Sequence, residues 1–149
     1  MKSQLDMLTR LAQEARDQAG QSLAKERQTE QQASSQLAAL TQYRAEYAER
    51  LQTAMCEGID PATMYNYQQF LASLDAALSR ARQALLEQQQ RVQQRQQTWQ
   101  QEQRRLSSYD TLATRRQREE HQRLTRHEQK SNDELVNGRI ARQRHDGAH

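Results

Sequence analysis

The sequence is poor in the residues that interrupt regular structure, with four glycines and one proline in 149 positions. Turns draw on those residues, so a fold with many turns is excluded. Apolar material is also scarce: 34% of residues are hydrophobic and 5% aromatic, with a mean hydropathy of -1.21. That excludes a thick core, but it suits long helices that bury one seam. The single cysteine excludes an intramolecular disulfide. No signal-peptide pattern and no apolar run of membrane length appears, so a soluble, cytoplasmic chain is expected. There is no Gly-rich phosphate loop, nucleophile elbow or paired-Cys motif, so neither an enzyme nor a cofactor site is expected. His121 and His127 lie six residues apart, a poor spacing for one helical face, so no metal site is expected either.

What is present favours helix. The 27 glutamines, with Ala, Arg and Glu, are all helix-compatible. Such polarity also fits disorder, and only periodicity separates the two. Steps of three and four running back from residue 54 give Ala54, Leu51, Tyr47, Arg44, Leu40, Leu37 and Ala33, and continue through Glu30, Glu26, Leu23 and Ala19 to Leu5. Forward steps from Met64 give Tyr67, Leu71, Leu74, Leu78, Ala81 and Leu85, and continue through Gln88, Val92, Arg95 and Trp99 to Ala113. Both are a/d stripes of period 3.5, sustained over about seven heptads each. Disorder does not write such a pattern.

Between the stripes lies AMCEGIDPATMYNYQQF, residues 54–70. Gly58 fits just past the end of a first helix, where a left-handed residue is wanted. Asp60 and Pro61 fit the cap and first turn of a second. The fold class expected is therefore all-α, two long helices forming an antiparallel coiled-coil hairpin. One elongated domain should comprise helix one at about 3–56, a turn at 57–60, helix two at 61–130 and a frayed tail at 131–149. Pairing centred on Ile59 sets Tyr47 against Leu71, Leu40 against Leu78 and Ala19 against Trp99. Paired arms of about 55 residues would span roughly 80 Å. Glu26, Glu30, Gln88 and Arg95 make the middle of the seam its weak part. Cys56 reads as a small packing residue at the bend, and Trp99 as seam packing.

The rims of the seam differ. One edge carries Ser34, Thr41, Ala48, Gln68, Asp75 and Arg82, ordinary rim chemistry. The other carries Gln36, Tyr43, Arg50, Phe70, Ala77 and Ala84. Two readings stay open for this aromatic edge. It is either a broadened seam with Arg50 covering Phe70 by its stem or as a cation–π partner, or an aromatic patch for a partner.

Charge is uneven along the chain. Residues 1–60 hold 7 Lys+Arg against 9 Asp+Glu, and residues 61–149 hold 15 against 10. Residues 104–126 carry seven arginines interrupted by Asp110, Glu119 and Glu120. A basic nucleic-acid-binding coiled coil and a structural scaffold are thus the alternative readings. The basic stretch lacks interleaved aromatics and no zipper follows it, so nucleic acid is not the expected partner.

At YRAEY (43–47), the Gly58-Ile59 turn, NYQQF (66–70) and Leu74, the chain resembles the flagellar FliJ family. The match is most specific from about Gln36 to Trp99. These are small coiled-coil proteins of the bacterial flagellar type III export apparatus, similar in form to the central stalk of rotary F-type ATPases. The resemblance implies binding to the export ATPase FliI and the export-gate protein FlhA, and handling of flagellar export chaperones. It also implies a place on the cytoplasmic face of the inner membrane at the flagellar base, with only peripheral membrane association. The gate-binding surface it implies comprises Gln36, Leu40, Tyr43, Tyr47, Phe70, Leu74, Ala77 and Ala81, of which Ala81 departs from the family pattern.

Overall fold

The computed structural model describes residues 2–147, which form two α-helices, α1 (Lys2–Glu57) and α2 (Pro61–Asp146). The chain divides into two compact units. One is Gln13–Gln103, and the other is Met1–Ala12 together with Arg104–His149.

Unit Gln13–Gln103 contains the bend and is an antiparallel helical hairpin. Every stripe position from Arg16 to Ala54 on α1 is half-buried or buried, and on α2 from Met64 to Glu102 only Arg95 stays exposed. The 3.5 period therefore faces inward as one continuous seam. Leu23, Leu74 and Leu78 are its most buried leucines, each contributing ~1.5–3 kcal/mol relative to exposure. No side chain among the described residues falls below 2% exposure, because two helices cover a side chain from two sides only.

Cross-helix neighbours agree with pairing centred near Ile59. Arg44 meets Asp75, and a Cβ built on Gly20 would lie 3.4 Å from the Trp99 indole; each pairing is within one residue of that register. Trp99 packs in the seam beside Gly20, where even a Cβ would stand in ordinary contact with the ring.

The bend follows from local backbone chemistry. Gly58 adopts φ +91°, a conformation that costs an L-residue dearly and glycine little. Its N–H donates to the Met55 carbonyl at 3.3 Å, closing the last turn of α1. The Asp60 carbonyl accepts from the Met64 N–H at 3.1 Å, so Asp60 holds the N-cap position and Pro61 the first helical one. Cys56 is exposed, which corrects the expectation that it packs at the bend: it lies off the inward stripe, between Ala54 and the turn.

In the second unit Leu5, Ala12 and Leu106 are buried and Thr9, Tyr109 and Ala113 half-buried, so the seam pattern holds there too. From Thr114 to His145 every residue is exposed. Helix α2 nonetheless runs on to Asp146, so the expected end near residue 130 and the fraying from 131 are corrected; His149 lies outside the described residues. Once a helix exists, each further residue adds a hydrogen bond for one pair of dihedrals. The lone Gly138 costs only ~1 kcal/mol of propensity against that propagation. Arg144 and His145 in the last turn also suit the negative end of the helix dipole.

Candidate functional site

The aromatic edge is a connected cluster in the bend half of unit Gln13–Gln103. Antiparallel pairing carries Tyr43 and Phe70 to the same side of the seam, while Tyr47 and Tyr67 come from the stripes themselves. The Tyr47 ring is the hub. Its centroid lies 4.4 Å from Phe70, 5.1 Å from Tyr67 and 6.4 Å from Tyr43. Tyr43 meets Phe70 edge-on, with centroids 6.1 Å apart and planes at 84°. Tilted and edge-to-face geometries are those that the ring quadrupoles favour, each worth ~0.5–1.5 kcal/mol beyond burial.

The cluster is layered by depth. Tyr47 and Tyr67 are half-buried, whereas Tyr43 keeps 42% and Phe70 38% of its surface exposed. The rings broaden the seam, and two of them still present a face to solvent. Phe70 packs on tyrosines, and Arg50 lines a shallow groove with Glu46, Glu49, Thr53, Ala54, Glu57 and Tyr67. A ring on the facing stripe, Tyr47, meets Phe70 diagonally across the seam.

The remaining predicted residues lie along the same half of the hairpin at graded depth. Gln36 is exposed; Leu40, Ala77 and Ala81 are half-buried. Leu74, at 7% exposure, lies in the seam and offers a partner almost no surface. On the other rim the Arg44 guanidinium donates to both carboxylate oxygens of Asp75, at 2.9 and 3.4 Å. That hydrogen bond and the charge of Asp75 hold the Arg44 pKa above its ordinary value. The fork joins α1 to α2 one turn from the aromatic hub.

The basic stretch of α2 mixes its charges. Arg116 and Arg123 share a groove with Asp6, Glu119 and Glu120, floored by Leu5 and Ala113. His121 and His127 are exposed on the same helix, and among the described residues no three His, Cys, Asp or Glu side chains are grouped to hold a metal ion. No helix there is long and apolar enough to cross a membrane. Two residues escaped the sequence reading: Gly20 beside Trp99, and Gln88, a buried glutamine at 3% exposure. The only signal for Gln88 was a polar residue on an a/d stripe, which read as weakness.

The cluster thus exposes two rings, Tyr43 and Phe70, on a half-buried tyrosine base. The family described as "Flagellar FliJ protein" matches residues 1–145. Two relatives carry the same description. One from Salmonella typhi is 33% identical over 111 residues, 74% of this chain and 76% of its own. One from Escherichia coli (strain K12) is 32% identical over the same length, with the same shares covered. No solved structure matches significantly.

Proposed function

The chain belongs to the flagellar FliJ family, and from that premise we propose that it is a non-enzymatic component of the flagellar type III export apparatus that couples the export ATPase ring to the export gate. In this reading the hairpin engages the ring of FliI as a stalk does and presents its aromatic edge to the gate protein FlhA. It also hands on export chaperones. Its work in this reading is mechanical and allosteric, coupling ATP turnover by another protein to engagement of the gate. It acts at the cytoplasmic face of the inner membrane and joins the membrane only through the apparatus.

The observation that carries the gate contact is the pair of partly exposed rings, Tyr43 and Phe70, held on Tyr47. Rigid aromatic side chains bury large areas on docking at little entropic cost, so they serve as anchors. Gln36, Leu40, Ala77 and Ala81 complete the patch, and Leu74 supports it from beneath. Copurification of the purified gate protein with wild type and with the Tyr43→Ala/Phe70→Ala double variant tests this. Wild type should retain the gate protein and the folded double variant should lose it; equal retention would sink the reading.

A further inference from the structure

Of the 27 glutamines in the chain, Gln88 alone is buried. Its carboxamide is fully engaged, across the seam to Glu26 and along α2 to Arg91. Nε2 donates to the Glu26 carbonyl at 2.9 Å and also to Glu26 Oε2. Oε1 accepts from Arg91 Nη1 at 3.1 Å. Both N–H donors and the acceptor are thus used, and the carboxylate of Glu26 makes one of these bonds charge-assisted.

We propose that this knot fixes the pairing register of the two helices. Stripes of period 3.5 are blind to a slip of one heptad, because apolar residues then meet other apolar residues. Gln88 is not blind. After a slip in either direction the position of Glu26 is taken by Ala19 or Ala33, which has no side-chain oxygen to offer. The amide would then sit buried with an N–H unpaired, and that penalty exceeds what the made bond is worth. A polar residue at a single seam position specifies register at some cost in stability. Gln88 fits that role, and the leucines around it do not.

The test uses the full chain in a Cys56→Ser background with three cysteine pairs. Ala33→Cys with Leu85→Cys reports the native register, and Ala33→Cys with Val92→Cys or with Leu78→Cys reports a slip in either direction. Each pair is oxidised with Gln88 and with Gln88→Leu, the monomeric cross-linked fraction is scored, and Tm is measured. With Gln88 the native pair should dominate. Gln88→Leu should raise cross-linking of a slipped pair by ~10-fold or more while Tm holds or rises. Cross-linking confined to the native pair in both proteins overturns the proposal, whatever Tm does: an unchanged Tm would leave register to the turn, and a fall in Tm would mark an ordinary stabilising hydrogen bond.

Discussion

Replacing Phe70 by alanine separates packing from recognition. A Phe→Ala change at an enclosed site costs ~3–5 kcal/mol, part of it for the cavity left behind. Phe70 retains 38% of its exposure, so water fills the vacated space and about half of that figure applies, ~2 kcal/mol. For a chain of this size such a loss lowers Tm by ~4–8 °C. The cost comes from contacts with Tyr47 and Tyr43, so it is larger than the near-zero value of an unsupported surface ring. Well below the transition the variant remains folded, and any loss of affinity there reflects the surface. If Phe70 is an anchor, its truncation should weaken gate-protein binding by ~2 kcal/mol or more, about 30-fold in Kd. Tyr67→Ala is the control, since it removes a half-buried seam ring: Tm should fall while Kd, measured on folded protein, changes little. Calorimetric titration of wild type and both variants at a common low temperature decides. A Phe70→Ala Kd within about threefold of wild type would refute the reasoning, as would equal losses for the two variants.

Leu78→Ala, at 4% exposure, should destabilise by ~2–4 kcal/mol, read as a lowered denaturant midpoint with unchanged slope. Gly58→Ala should lower Tm by a few degrees, about 1 kcal/mol. Nothing lies within 4 Å of the added Cβ, so the loss is backbone strain at φ +91°, and Gly58→Asn should recover part of it. The Arg44–Asp75 fork is solvent-exposed, so Asp75→Asn should change Tm only slightly, and less still in high salt. Because the partner raises the Arg44 pKa, the stabilisation is present below the ordinary arginine pKa and lost only as pH rises above it; a melting series through neutral pH should show no step from this pair.

Helix identity, the inward stripe and the bend were legible in the residues themselves. A 3.5 period, Gly58 followed by Asp60-Pro61, and the scarcity of other breakers are local facts, and helix geometry converts them into a seam with one allowed reversal. The aromatic edge was legible too, because heptad position alone places Tyr43 and Phe70 on one rim. Tertiary structure decided the rest, for reasons that spacing does not contain. Phe70 packs on Tyr47 because ring contacts run diagonally and depend on side-chain direction. Cys56 faces water because the last turn of α1 rotates it off the seam. Helix α2 persists to Asp146 because propagation is cooperative and outweighs one glycine. Gln88, which reads as a flaw in an apolar stripe, becomes a satisfied buried amide only when Glu26 arrives from α1 across the seam, since a hydrogen bond needs distance and angle as well as composition.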